Sequence, residues 1–116
     1  MEEKVAGFPI LHVDDEEDNL ETFDMNFGDR FELAAADGGE KALEMMAERT
    51  FSVLVVDQRM PGMTGLEFLE KAREVQPEAV AILLTAYRDI EVVVEALNSG
   101  LVHRYVQKPW DRREVV

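Results

Sequence analysis

Five short, almost continuously apolar segments constrain the fold of this chain more than any other feature of its sequence. They are FPILHV (residues 8–13), FELAAA (31–36), FSVLVV (51–56), VAILL (80–84) and LVHRYV (101–106). Apolarity at nearly every position, rather than at every second one, is typical of strands that are covered on both faces, as in a parallel sheet. The sequence therefore predicts five β-strands in a sheet that is buried from both sides.

Amphipathic segments separate these strands, and their apolar residues recur with the helical period. The four groups are Leu20, Phe23 and Phe27; Leu43, Met46 and Ala47; Leu66 and Leu69; and Ile90, Val93, Val94 and Leu97. Parallel strands need crossover connections, which are usually helical and right-handed. The alternation of strands and helices therefore predicts a doubly wound α/β fold with helices on both faces of the sheet.

Local signals mark where the helices begin and end. Thr64 with Glu67, and Asp37 with Glu40, have the spacing of a capping box, which predicts helix starts at these two places. Gly100 lies where the fourth helix is expected to stop, because glycine readily ends helices in the left-handed conformation.

Length and charge exclude several classes of protein. The chain has 116 residues, which fit one compact domain, and a net charge of −13. Residues 1–40 carry 13 acidic side chains against two basic ones, so this segment repels nucleic acid phosphates and favours divalent cations or basic partners. The absence of cysteine excludes disulfides and thiolate zinc sites. No apolar run approaches the roughly 20 residues of a membrane span, and we expect a cytoplasmic protein.

Side chains that can bind ligands or take part in catalysis follow four of the five predicted strands. In doubly wound sheets, ligands bind beyond the carboxyl ends of the strands, where the strand order reverses. The residues at these positions are Asp14 and Asp15 after the first strand, Asp57 after the third, Thr85 after the fourth, and Lys108 with Pro109 after the fifth. The fold is expected to bring them to one edge.

The three carboxylates suit a hard cation. Mg²⁺ prefers oxygen ligands and often takes one or two carboxylates, several waters and a phosphate oxygen. We predict that Asp14, Asp15 and Asp57 hold Mg²⁺ together with the backbone carbonyl of Arg59. The next acids, Glu16 to Asp18, are interpreted as a solvated helix start that the helix dipole favours.

The same residues can move a phosphoryl group. An ionised Asp can attack phosphorus when a metal and a fixed cation neutralise the phosphoryl oxygens. Asp57, alone at the end of the most apolar strand, is the predicted nucleophile. Lys108 is expected to pair with a phosphoryl oxygen, and Thr85 to donate a hydrogen bond to another.

Four segments carry a resemblance to a known family: VDDEEDN, VVDQRMPGMTGLEFL, ILLTAYRD and YVQKPWD, in this order. From about Ile10 to its end, the chain resembles response-regulator receiver domains of the CheY-like family. The resemblance implies the strand order 2-1-3-4-5 and a single receiver domain over residues 1–116. It also implies that the domain is the N-terminal part of a longer protein, with a fifth helix of which DRREVV supplies only the start.

The resemblance also implies the role of each site residue. Asp57 is then the phosphoacceptor for a sensor histidine kinase, in a Mg²⁺-dependent reaction. Thr85 and Tyr105 are the switch residues that transmit the phosphorylated state to an output domain or downstream protein, and the bond between Lys108 and Pro109 is cis. By this interpretation the chain is a signalling module, which catalyses only its own phosphorylation and dephosphorylation and has no other enzymatic activity.

Finer features leave the output open. DQRMPGMTG and KPWD are similar to receivers that precede AAA+ transcriptional activators of the hydrogenase-regulator type, or to receivers that precede HD-GYP phosphodiesterases. An incomplete fifth helix exposes apolar sheet surface, which a partner or a second copy in a homodimer could cover.

Three other functions compete with the receiver interpretation. A calcium-binding EF-hand needs Gly and Glu where counting from Asp14 gives Asn19 and Met25, so it is excluded. A haloacid-dehalogenase-like phosphatase shares the Asp nucleophile and Mg²⁺, but needs a second acid where this chain has Arg59. A degenerate receiver that acts as an unphosphorylated interaction module is the remaining alternative.

His12 and His103 have no partner at ligand spacing, so we expect His12 to pack beneath a helix and His103 to lie near the surface.

Overall fold

The computed structural model of the protein describes residues 5–28, 31–85 and 90–107. Its five strands are β1 (Val5–Val13), β2 (Phe31–Ala36), β3 (Val53–Asp57), β4 (Val80–Thr85) and β5 (Arg104–Gln107). Its helices are α1 (Glu17–Phe27), α2 (Gly39–Glu48), α3 (Gly65–Val75) and α4 (Ile90–Asn98). The predicted fifth helix lies outside the described residues.

The sheet confirms the predicted doubly wound topology. Its strand order is β2-β1-β3-β4-β5, and each pair of neighbouring strands is parallel. The order reverses at β1, which lies between β2 and β3. Val13 of β1 pairs with Val56 of β3, and Asp57 of β3 pairs with Leu84 of β4. The carboxyl ends of the central strands are therefore level at one edge of the sheet.

Helices cover both faces, as the continuous apolarity of the strands predicts. On one face, α1 packs Phe23 and Phe27 against sheet residues that include Val55, Leu84 and Val106. On the other face, α2, α3 and α4 pack against the alternate strand residues. This larger core includes Leu11, Val13, Leu54, Val56, Leu83, Met46, Phe68, Leu69 and Val93. Two separate apolar cores thus fix the sheet from both sides.

The third and fifth strands begin later than the apolar pattern indicates, because other hydrogen bonds occupy their first residues. The Phe51 N–H donates to Oε1 of Gln76, beyond the end of α3, so β3 starts only at Val53. Leu101 and Val102 both donate their N–H groups to the carbonyl of Ala96, which keeps them in the turn after α4. The apolar pattern does not predict where these two strands begin, because their first residues are apolar whether or not their backbone joins the hydrogen bonds of the sheet.

The two histidines lie where the sequence indicated. His12 is buried in β1 beneath α1, and its ring centroid is 4.2 Å from that of Phe23. His103 is exposed, and its Nδ1 accepts a hydrogen bond of 2.9 Å from the N–H of Ala81. His12 therefore packs beneath a helix and His103 lies at the surface, as the sequence predicted.

One of the two predicted capping boxes is confirmed and the other is wrong. At α3, the Thr64 hydroxyl accepts from the Glu67 N–H at 3.2 Å, and the Glu67 carboxylate accepts from the Thr64 N–H at 3.3 Å. At α2 the N-cap is Gly38, whose carbonyl accepts the first helical hydrogen bond, and no described side chain caps this helix. Asp37 lies one residue too early for the cap.

The end of α4 agrees with its sequence signal. Gly100 has a φ of +82°, a left-handed conformation that suits glycine, two residues after the helix ends at Asn98. None of the described helices is both long enough and apolar enough to cross a bilayer.

The α3 cap gives a stability prediction. Thr64→Ala removes the acceptor for the Glu67 N–H at the helix start, and we expect it to lower the free energy of unfolding by about 1 kcal/mol. Urea denaturation followed by circular dichroism measures this loss. Thr22→Ala is the matched control, because the Thr22 hydroxyl only donates to the Asp18 carbonyl on the exposed side of α1. Its effect should stay within about 0.5 kcal/mol, and equal losses in the two variants would contradict the assigned cap.

Candidate functional site

Three carboxylates converge at the carboxyl ends of β1 and β3. Asp14 and Asp15 directly follow β1, and Asp57 is the last residue of β3. One oxygen from each of the three lies within 4.8 Å of the others. The parallel pairing of Val13 with Val56 places the two strand ends side by side, so residues 43 positions apart in the chain become neighbours.

Burial makes this arrangement electrostatically costly. Asp14 is 1% exposed and Asp57 is 4% exposed, whereas Asp15 faces solvent. Two unit charges about 5 Å apart repel by roughly 3 kcal/mol at an effective dielectric constant of about 20. Solvent screens the exposed Asp15 more than the other two. A cation bound between the carboxylates would offset this repulsion.

Hydrogen bonds from the start of α1 hold Asp14 in place. Its Oδ1 accepts from the Glu16 N–H at 3.0 Å, and its Oδ2 accepts from Nδ2 of Asn19 at 3.1 Å. The Asp14 N–H donates to the carbonyl of Ala36 in β2 at 3.1 Å. The residue is thus tied to both the helix that follows it and the neighbouring strand.

The donor set fits Mg²⁺. All three groups are carboxylates, the hard oxygen ligands that this ion prefers, and one of them is exposed. Mg²⁺ usually keeps several of its waters, which requires a site that is open on one side. The acids at Glu16, Glu17 and Asp18 are exposed at the helix start, as expected for solvated side chains.

Thr85 lies at the same edge, one strand beyond Asp57. It ends β4, is buried, and follows Leu84, the partner of Asp57 in the sheet. Tyr105 in β5 pairs with Leu83 and is 36% exposed, so its side chain reaches the surface. The sheet therefore places Thr85 at the end of the strand next to β3, and Tyr105 farther back along β5.

Other predicted site residues are located only in part. Arg59 is exposed in the loop between β3 and α3, two residues after Asp57. Lys108 and Pro109, with the predicted cis bond between them, lie outside the described residues. The roles assigned to all of these side chains stay predictions.

Gln58 holds the loop that follows Asp57 closed through three hydrogen bonds. This role was not identified from the sequence. The N–H of Gln58 donates to the Leu84 carbonyl, its carbonyl accepts from the Gly65 N–H, and its Oε1 accepts from the Leu66 N–H, each at 3.0 Å. One residue thereby links β3 to β4 and to the first turn of α3. A side-chain acceptor eight residues before its partner follows no local spacing rule, so only the folded loop shows it.

Gly65 allows this loop to close tightly. A Cβ atom at this position would lie 2.6 Å from the Asp57 carbonyl oxygen and 3.0 Å from the Cα of Gln58. Both of these are backbone atoms, which cannot move aside as a flexible side chain can. Earlier in the same loop, Gly62 has a φ of +81°, a region that favours glycine. The two glycines keep the chain after Asp57 compact.

Comparison with known proteins gives one family. The family described as "Response regulator receiver domain" matches residues 10–116. The hydrogenase transcriptional regulatory protein HoxA of Cupriavidus necator is 34% identical over 101 residues, which cover 87% of this chain and 21% of HoxA. This chain spans about a fifth of the length of the first relatives that it matches.

Solved structures agree with this assignment. A structure described as an adenylate cyclase from Rhodopirellula baltica has a TM-score of 0.90 and 38% identity, over 92% of this chain and 80% of that one. The signal receiver domain of an HD domain-containing protein from Pseudomonas fluorescens has a TM-score of 0.84 and 29% identity, over 93% of this chain and 87% of that one. The solved structures and the family match therefore support the same assignment.

The tight loop after Asp57 gives a second stability prediction. Gly65→Ala forces a methyl group against backbone atoms, and we expect a loss of about 2–3 kcal/mol in unfolding free energy, the upper part of the range for overpacking. Gly38→Ala is the control: its Cβ would meet nothing within 4 Å, and its φ of 175° is extended. Alanine is a weaker N-cap than glycine, so a small loss is expected, but without a clash this loss should stay below about 1 kcal/mol. Chemical denaturation measures the unfolding free energy of both variants. A loss for Gly65→Ala no larger than that for Gly38→Ala would contradict the close approach of Gly65 to the backbone of Asp57 and Gln58.

Proposed function

The chain belongs to the response regulator receiver domain family, and from this premise we propose that Asp57 accepts a phosphoryl group from a sensor histidine kinase in a Mg²⁺-dependent reaction. The observation that carries the proposal is the convergence of Asp14, Asp15 and Asp57 at one edge of the sheet. Two of these carboxylates are buried, and converging buried ionisable groups are typical of functional sites.

The transfer is a displacement at phosphorus. A carboxylate oxygen of Asp57 attacks the phosphorus of a phosphohistidine, an O–P bond forms, and the N–P bond breaks as the imidazole leaves. When bound, Mg²⁺ supplies positive charge that offsets both the phosphoryl oxygens and the clustered carboxylates. The product is an acyl phosphate on Asp57. Since Asp57 is almost fully buried, the fold also limits the access of water to that bond.

Asp57 suits the role of acceptor better than its two neighbours. Both oxygens of Asp14 already accept hydrogen bonds from the start of α1, which suits a ligand of fixed orientation. Asp15 is exposed, so an acyl phosphate there would meet water directly. Asp57 ends a central strand, two residues before the exposed loop residue Arg59, whose backbone carbonyl is the proposed additional metal ligand.

Thr85 and Tyr105 are the proposed readout of phosphorylation. Thr85 would donate its hydroxyl to a phosphoryl oxygen, and Lys108 would pair with another. A ligand or modification shifts a conformational equilibrium only by the difference in its interactions with the two states. The new contact at Thr85 would supply that difference. Tyr105, half-exposed in β5, would then turn inward and change the surface of α4 and β5.

The output and the partners follow from the family rather than from this chain alone. We propose a domain that passes the phosphorylated state to an output domain or downstream protein, in the cytoplasm, and that catalyses only its own phosphorylation and dephosphorylation. HoxA is named as a transcriptional regulator, and the Pseudomonas relative contains an HD domain. We therefore propose an output of one of these two kinds, and assembly as a homodimer.

The acceptor assignment is tested by Asp57→Asn. Incubation with acetyl phosphate and Mg²⁺ should add one phosphoryl group to the wild-type protein, detected by intact mass, and none to the variant, since an amide is not a nucleophile of this kind. Asp37→Asn, an exposed acid at the carboxyl end of β2, is the control and should label fully. Full labelling of Asp57→Asn would refute the assignment. A wild-type protein that never labels would indicate an unphosphorylated interaction module, and sustained release of phosphate from many substrates would indicate a phosphatase.

The metal requirement gives a separate prediction. Mg²⁺ that binds only the folded state should raise the unfolding midpoint as its concentration increases, because binding stabilises by RT ln(1 + [L]/Kd). This gain should be lost in Asp14→Asn, which removes one charge from the cluster. Thermal unfolding with Mg²⁺ or with a chelator measures the effect. Labelling of Asp57 that continues undiminished after chelation would show that the carboxylates have another role.

A further inference from the structure

We propose that Asn19 is a positioning residue that fixes the orientation of Asp14 and thereby sets the Mg²⁺ affinity of the carboxylate cluster. This inference rests on the proposed function, since it concerns the same metal site. Asn19 does not reach the metal ligands Asp15 and Asp57 by any observed contact. It acts through its hydrogen bond of 3.1 Å from Nδ2 to Oδ2 of Asp14.

Both oxygens of Asp14 accept a hydrogen bond from the start of α1. The Glu16 N–H serves Oδ1 at 3.0 Å, and the Asn19 amide serves Oδ2. A carboxylate offers about four lone-pair sites, so these two hydrogen bonds do not prevent Asp14 from binding a cation. Rotation of a carboxyl group about its terminal torsion is broad. The Glu16 contact holds one oxygen, and the Asn19 contact on the other oxygen opposes rotation of the carboxyl plane.

Asn19 is itself held by the packing of α1. It lies four residues before Phe23, so the two side chains share one face of the helix. Phe23 is buried against the ring of His12 in β1 and against Phe27, with ring centroids 4.2 Å and 4.7 Å apart. Asn19 is half-buried at the start of the same face. The aromatic packing therefore sets where the amide can reach.

The chemistry of an amide suits this position. A lysine or arginine could also donate to Asp14, but its charge would neutralise the carboxylate and repel Mg²⁺. An aspartate would add repulsion to a cluster that already holds three carboxylates. The neutral amide donates without changing the net charge of the cluster. Groups that orient metal ligands in this way typically affect metal affinity by about 10–100-fold when they are replaced.

The test compares two asparagines of the same helix. Asn26 also donates its Nδ2, at 2.8 Å to the Thr22 carbonyl, but this contact is exposed and about 10 Å farther along the helix axis. Asn19→Ala and Asn26→Ala both gain helix propensity, so α1 should stay folded, which circular dichroism checks. Calorimetric titration with MgCl₂, without any phosphodonor, gives Kd for the wild-type protein and both variants.

We expect Asn19→Ala to raise Kd by about 10-fold, and Asn26→Ala to leave it within about twofold. In labelling with acetyl phosphate, saturating Mg²⁺ should restore the maximal rate of Asn19→Ala, since only affinity is lowered. A Kd for Asn19→Ala within twofold of the wild-type value would overturn the inference, and so would an equal loss in both variants. Wild-type protein that binds no Mg²⁺ would instead overturn the proposed function.

Discussion

Repulsion between buried carboxylates is the constraint on which the candidate site depends. Asp14 and Asp57 are nearly inaccessible to water and lie with Asp15 in one small cluster. Left to themselves, these groups would separate or become solvated. The fold has to hold them together against a repulsion of several kcal/mol, which a bound cation would offset. A site that binds Mg²⁺ therefore requires a scaffold stable enough to keep its empty form folded.

The parallel sheet supplies that scaffold through register rather than through local structure. β1 and β3 are neighbours, and their pairing from Ile10 with Val53 to Val13 with Val56 fixes how far each strand end projects. Two apolar cores, one on each face, prevent the strands from sliding. A shift of one residue would turn apolar side chains of one core toward the other face. The same packing that stabilises the domain thus sets the distances within the site.

Most of the fold and the location of the site could be predicted from the sequence, because both follow from long-range rules with clear signals. Continuous apolar runs predicted the strands, and the strand-end rule placed Asp14, Asp15 and Asp57 together. Errors occurred where a local signal had competitors. The capping box expected at Asp37 was wrong, since Gly38 supplies the N-cap of α2. Phe51 is apolar and buried, yet its N–H bonds to Gln76 instead of joining the ladder.

Asn19 and Gln58 show what the sequence could not supply. Both are neutral amides beside acidic residues, and each makes a contact whose partner depends on the fold: Asn19 reaches back to Asp14, and Gln58 reaches forward to Leu66. A search for charged or nucleophilic residues passes over them. Yet a neutral donor such as Asn19 can orient a carboxylate without cancelling the charge that attracts a cation, and a neutral acceptor such as Gln58 can hold the adjoining loop. In acidic metal sites of parallel sheets, the amides within one turn of the strand ends therefore merit the same scrutiny as the acids.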